Sequence, residues 1–364
     1  VRKIRVLVVD DSAFMRKIIT DILNEEEKIE VIGTARNGQD AIKKVELLNP
    51  DVVTMDIEMP IMDGIEGLKV IMDQFPRPVI MLSSTTTQGA ENTIKSLQYG
   101  AIDFIAKPSG AISLDLYKVK EEIIEKVILA KSANVHKLSK EVNRKNIHLK
   151  EIGYSKIDSN RDKSPIIIDR NSLNKKIVCI GTSTGGPRAL QQVLSKIPAD
   201  IDAPILIVQH MPPGFTQSLA NRLDSISFIT VKEAENGEHL QNGIAYIAPG
   251  GSHLKVMKSG GYLTIKIDQS DIRNGHRPSV DVMFESISKL QDYRKISVIM
   301  TGMGSDGTEG LRKLKLTGVV NAIVESEQTS VVYGMPRSAL STNLVDKVEH
   351  LENIAAAIMD FIRN

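Results

Sequence analysis

Five short apolar runs, each closed by a polar residue, mark the first third of the chain. Ile4 to Val9 is nearly continuous and ends at Asp10-Asp11-Ser12. Val31 to Ala35 follows, then Asp51 to Met55 ending at Asp56, Val79 to Leu82 ending at Ser83-Ser84, and Ile102 to Ala106 ending at Lys107-Pro108. Unbroken apolar runs are typical of parallel strands buried on both faces. Between them the spacing becomes that of helices with one buried face. Phe14, Ile18, Ile19, Ile22 and Leu23 form one such set, and Ala41, Ile42, Val45 and Leu48 another. Further helices are expected from about Gly64, around Ile94 and Leu97, and over Leu116, Val119, Ile123 and Val127. This alternation predicts a doubly wound, five-stranded parallel sheet over residues 1–130.

The pattern then lapses. Residues 131–175 mix Lys131, Lys137, Lys140, Arg144, Lys145 and Lys150 with Asn, Ser and Glu, and Asp158 to Pro165 is strongly polar. This reads as a linker, mobile or partly helical. Ile166-Ile167-Ile168 is either a short β segment or a docking anchor. Regular runs return at Lys176 to Ile180, Pro204 to Val208 and Ser297 to Met300. Shorter segments, Ala245 to Ala248, Leu254 to Met257 and Leu263 to Ile267, flank Gly260-Gly261, a hairpin signal. Residues 176–364 are therefore expected to form a second doubly wound α/β domain, with a mainly parallel sheet and an antiparallel hairpin.

Composition narrows this picture. At 364 residues, with 25% charged residues and a net charge of +1, there is no electrostatic case for nucleic acid or an anionic membrane. No run approaches the ~20 apolar residues needed to span a bilayer. The chain opens on a strand rather than a signal peptide. Its single cysteine, Cys179, suits a reducing compartment and lies in an apolar strand, where packing is its expected role. A cytoplasmic protein is expected.

In open α/β sheets, ligands bind beyond the carboxyl ends of the strands. Asp10, Asp11, Asp56, Ser83 and Lys107 all stand at such ends. Any one alone reads as a solvated strand end. Together, the three carboxylates need a hard cation held by oxygen, for which Mg²⁺ is suited. Lys107 supplies a positive charge for a phosphoryl oxygen, and one carboxylate is a candidate acceptor. With Met55 to Pro60 and Asp63-Gly64, this segment resembles a response-regulator receiver domain of the flavodoxin-like type. The resemblance implies that Asp56 accepts the phosphoryl group. Asp10, Asp11, Asp56 and the backbone carbonyl of Glu58 hold Mg²⁺, and Ser83 and Lys107 contact the phosphoryl group. Phe104 takes the aromatic switch position, although its spacing alone reads as core.

The second domain carries its chemistry in loops. Gly181-Thr182-Ser183-Thr184-Gly185 matches the G-x-S-x-G pattern of a nucleophile on a strand-to-helix turn. A helix N-cap serine and a phosphate loop are the other readings, though no Lys follows the glycines as a P-loop requires. His210 leaves the next strand before Met211-Pro212-Pro213, and Asp306 lies in Thr301-Gly302-Met303-Gly304-Ser305-Asp306-Gly307. Taken singly, they read as a structural histidine and a turn residue. If the strands are parallel, all three loops share one edge, where a Ser-His-Asp triad can assemble. The order Ser…His…Asp departs from that of the α/β-hydrolases. These motifs, with Arg273 to Asp281, resemble the CheB family of chemotaxis protein-glutamate methylesterases. The resemblance implies Ser183 as nucleophile, His210 as base, Asp306 as its orienter, and the N–H groups of Thr184 and Met303 as oxyanion donors. It further implies methyl-accepting chemoreceptors as substrate, glutamine deamidation as a second activity, and a chemotaxis histidine kinase as phosphodonor.

Three other classes compete. His253 and His276 are candidates to join His210 around a metal, but their spacing fits no compact zinc motif. A phospho-switched binding module with an inactive hydrolase-like domain is the second. A transcriptional regulator is the third, against which no helix-turn-helix or basic recognition helix follows the linker.

Overall fold

The computed structural model describes residues 2–107, 119–133 and 175–363. The N-terminal sheet contains β1 (Ile4–Val9), β2 (Ile29–Ala35), β3 (Val52–Asp56), β4 (Val79–Ser83) and β5 (Asp103–Ala106), in the order β2-β1-β3-β4-β5. Every pairing is parallel. Helices α1 (Ala13–Asn24), α2 (Gly38–Leu48), α3 (Gly64–Gln74), α4 (Thr87–Gln98) and α5 (Lys120–Ser132) accompany them. The side chains of Ser12, Asn37, Asp63 and Thr86 cap α1 to α4, each accepting a backbone N–H of the first turn. The sheet order reverses between β1 and β3, so Asp10 and Asp56 leave adjacent strands at the switch point. The expected five-stranded α/β fold is thus realised. Helix α5 reaches two residues into the segment read as linker, and Ile166-Ile167-Ile168 lies outside the described residues.

The C-terminal sheet runs β14-β13-β12-β6-β7-β9-β8, again with only parallel pairings. Its strands are β6 (Lys176–Thr182), β7 (Ile205–Gln209), β8 (Thr230–Glu233), β9 (Ile244–Ile247), β12 (Arg294–Ile299), β13 (Val320–Glu325) and β14 (Lys347–Glu349). Strands β10 (His253–Ser259) and β11 (Tyr262–Asp268) form the separate antiparallel hairpin. Its turn holds Gly260 at φ 57° and Gly261 at φ 89°, values a side chain resists.

Helices α6 (Gly186–Leu194), α7 (Phe215–Asp224), α8 (Val280–Ser288), α9 (Thr308–Leu316), α10 (Met335–Leu340) and α11 (Ile354–Arg363) complete the unit. Strand β6 lies between β7 and β12, so this sheet has its own switch point at the residue after β6, Ser183. One buried apolar cluster is shared by the two units, with Ile94, Leu97 and Phe104 on one side and Phe215, Leu219 and Leu223 on the other. Among the described residues no helix is long and apolar enough to cross a membrane.

Candidate functional site

Ser183 is held by its backbone from three directions. Its N–H donates to the Thr301 carbonyl at 3.0 Å, and its carbonyl accepts from Gly186 N–H at 2.7 Å. The same carbonyl accepts from Gln209 Nε2 at 3.0 Å. Gly185 turns the chain at φ 80°, and a Cβ on Gly186 would lie 2.0 Å from Gln209 Oε1. The glycines therefore serve close approach: the turn wraps over Gln209, the last residue of the neighbouring strand. His210 follows at once, its N–H bonded to Thr182 O at 3.1 Å.

The imidazole and the carboxylate expected to pair do so. His210 Nε2 lies 2.8 Å from Asp306 Oδ2, with both side chains buried. Asp306 also accepts from Ser279 Oγ at 2.8 Å, Val280 N–H at 2.7 Å, Asp281 N–H at 3.1 Å and Asn274 Nδ2 at 3.3 Å. Val280 and Asp281 open α8, so the carboxylate sits on the free N–H groups of a helix N-terminus. Burial alone would raise its acid, but the His210 interaction, the Val280 N–H and the Ser279 hydroxyl hold it well below the ordinary carboxylate range. Asp306 is thus a fixed negative charge, and Nε2 is the imidazole nitrogen that donates to it. His210 Nδ1 is then the nitrogen with a free lone pair. It is buried and has no hydrogen-bond partner, and no bond joins it to the Ser183 hydroxyl here. Two members of the expected row are bonded, and the third stands on the neighbouring strand end.

His276 lies flat on His210, ring centroids 3.7 Å apart and planes 13° apart. Burial, then the His210 and Lys126 charges, push its pKa down to about 4 against the pull of Asp306, so the stacked ring is neutral at pH 7. His253 uses both nitrogens structurally: Nε2 contacts Asp271 O at 3.0 Å, and Nδ1 accepts Ser279 N–H at 3.2 Å. Neither arrangement is that of histidines gathered round a metal. Of the candidate oxyanion donors, neither Thr184 N–H nor Met303 N–H finds an acceptor among the described residues.

In the N-terminal unit, Asp10, Asp11 and Asp56 offer carboxylate oxygens within 4.8 Å of one another, the one such group among the described residues. Lys107 Nζ reaches Asp56 at 2.7 Å and Asp10 at 3.0 Å. Burial pushes the Asp56 acid up to about 6; Asp10 and Asp11 add to the rise and Lys107 opposes it. Three hard oxygen donors with one ammonium between them leave negative charge uncompensated, which fits a divalent cation. Ser83 is buried, its hydroxyl donating to Gly89 O at 3.1 Å and accepting from Thr93 Oγ1 at 2.6 Å, toward α4. The Glu58 carboxylate accepts from Ser84 Oγ at 3.2 Å.

Residues 178–358 match the CheB methylesterase family, and residues 6–116 match the response regulator receiver domain. A relative from Geobacillus kaustophilus, named protein-glutamate methylesterase/protein-glutamine glutaminase, is 56% identical over 361 residues, 99% of each chain. One of the same name from Bacillus subtilis is 51% identical over 362 residues, again 99% of each. The chain belongs to the CheB methylesterase family.

In this family member the receiver lies against the Ser183 turn. Thr184 Oγ1 donates to Asp103 Oδ2 at 2.6 Å. Phe104, expected as a switch residue or as core, stacks on Phe215 with centroids 4.7 Å apart, and Phe215 opens the helix after the His210 loop. Lys126 of α5 pairs with Asp103 at 3.3 Å and lies near enough to His276 to lower its pKa. Sequence reasoning does not single out Asp103, Lys126 or Glu325, and it places Asn274 and Ser279 in the Arg273 to Asp281 motif without giving either a role. Glu325 is a strand-end carboxylate, the same signal that exposes Asp56, but no motif accompanies it, and Asp103 opens β5 rather than closing it.

Proposed function

We propose that the chain hydrolyses γ-glutamyl methyl esters on chemoreceptors, releasing methanol, and deamidates receptor glutamines at the same site. The relatives' printed names support both activities. The observation that carries the chemistry is the buried His210–Asp306 bond of 2.8 Å with Nδ1 left unpaired beside the Ser183 turn. Ser183 Oγ attacks the ester carbonyl carbon while His210 Nδ1 takes the hydroxyl proton. The N–H groups of Thr184 and Met303 receive the oxyanion. The C–O bond to the methoxy group breaks, His210 returns the proton, and methanol leaves. Water then attacks the acyl-enzyme by the same route, giving glutamate. With glutamine the leaving group is ammonia. Asp306 does not move the proton; it fixes the tautomer and stabilises the imidazolium.

The receiver makes this a regulated enzyme. Asp56 is the phospho-acceptor, taking the group from a chemotaxis histidine kinase, with Lys107 and Ser83 as its contacts. Asp10, Asp11, Asp56 and the Glu58 carbonyl would hold Mg²⁺, which would supply positive charge to screen the incoming phosphoryl oxygens. Without phosphorylation, Asp103 places a carboxylate beside Thr184, whose N–H must bind a negative oxygen, and the receiver covers the approach to Ser183. The enzyme reading is tested by methanol release from a methylated receptor fragment. Ser183→Ala is expected to lose nearly all activity, and a variant that still demethylates sinks the assignment.

A further inference from the structure

Glu325 ends β13, the strand next to β12, and is fully buried. A buried carboxyl is costly unless it is hydrogen-bonded. Its Oε2 accepts Thr301 N–H at 2.8 Å. Thr301 in turn holds both residues of the nucleophile turn. Its carbonyl accepts Ser183 N–H at 3.0 Å, and its hydroxyl donates to Thr184 O at 2.8 Å. The hydroxyl also accepts Val332 N–H at 3.0 Å, and Val332 O accepts Gly302 N–H at 3.0 Å. One residue, Thr301, thus joins the Ser183 turn to the loop that carries Met303, and one carboxyl anchors its N–H.

We propose that Glu325 is a positioning residue for the nucleophile turn, acting through Thr301. It touches no substrate. It holds the backbone at Thr301 from its N–H side, and so the relative placement of Ser183 and the two candidate oxyanion donors. The inference deepens the esterase reading and rests on Ser183 as nucleophile. A neutral acid serves as well as a carboxylate, because either accepts an N–H. Burial pushes the Glu325 acid up to about 7 against the pull of Thr301 N–H, the Thr329 hydroxyl and Arg188, while Glu352 adds to the rise.

The test compares full-length parent, Glu325→Gln, Glu325→Leu and Ser183→Ala in methanol release from a methylated receptor fragment. Glu325→Gln keeps an acceptor oxygen and is expected to hold kcat within about threefold. Glu325→Leu leaves Thr301 N–H unpaired and is expected to lose ~10²-fold in kcat with KM little changed, as for misplaced reacting groups generally. If the leucine variant does not fold, Glu325→Asp, shorter by one methylene, stands in and is expected to lose at least tenfold in kcat. Parental kcat in the folded leucine or aspartate variant overturns the proposal, as does a loss confined to KM or equal damage by glutamine and leucine. Activity surviving in Ser183→Ala overturns the esterase reading itself, whereas an inactive Ser183→Ala beside a fully active Glu325→Leu overturns only the role of Glu325.

Discussion

Gly302 has no room for a methyl group. A Cβ there would stand 2.3 Å from Met335 Sδ, 2.8 Å from Ser183 Cβ and 3.1 Å from Ser183 N. The methionine can swing aside, but the serine backbone is tied to Thr301 and Gln209 and cannot. Gly302→Ala should cost ~1–3 kcal/mol in urea unfolding and ~10²-fold in kcat. A parental rate of methanol release would contradict this account of the turn. The buried acids carry opposite signs of pH dependence. Asp306 is held below its ordinary value, so its contribution is present above pH 3.8 and lost only as pH falls through the lowered folded value. Glu325 is raised from 4.5 to about 7, so its contribution is full below pH 4.5 and lost as pH rises through about 7. The shift corresponds to ~3 kcal/mol at most. Glu325→Gln, which cannot ionise, should therefore gain stability relative to the parent between pH 4.5 and 7. A stability gap that does not change with pH refutes the buried-acid reading.

At the scale of elements, strand ends do the assembling. Helix α8 presents the Val280 and Asp281 N–H groups to Asp306, while Asp281 Oδ1 accepts Gly307 N–H at 2.9 Å and Gly310 N–H at 2.7 Å. Two helix starts thus cap each other across the site. Asp281→Ala should cost ~2–4 kcal/mol, because two buried donors lose their acceptor; a denaturant midpoint shift equivalent to under ~0.5 kcal/mol would show the clasp is idle. The strands that carry Asp10, Asp56, Ser183 and His210 are legible as unbroken apolar runs because they are interior and buried on both faces. Thr230–Glu233 and Lys347–Glu349 are the sheet's edges, with charged residues and no apolar run to mark them. The Gly-Gly hairpin is readable because both turn residues require positive φ. The stack of His276 on His210 is not, since it depends on a loop returning from far along the chain and leaves no local pattern. The hydrogen-bond partners of Asp306 are hidden for the same reason.

For the whole molecule, the contact between the two units explains why a phosphorylation site and an esterase share one chain. Asp103 meets Thr184 and Phe104 meets Phe215, both at the start of β5, the strand next to the one that carries Ser83. A change at Asp56 need travel only from β3 across β4 to β5. Asp103→Ala removes the charge beside the candidate oxyanion site and one interdomain bond, and a ~1.4 kcal/mol bias toward the open form would raise the unstimulated rate about tenfold. Asp56→Asn should keep the low basal rate and lose stimulation by a small-molecule phosphodonor; equal stimulation of both proteins would refute the switch. The central claim, that Ser183 is acylated by the substrate, is tested most directly by rapid quenching. Full-length protein mixed with methylated receptor fragment is stopped in acid within one turnover, digested and weighed by mass spectrometry. The peptide containing Ser183 should carry the receptor glutamyl group as an ester, and Ser183→Ala should carry none. Stoichiometric methanol release with that peptide unmodified would contradict the account.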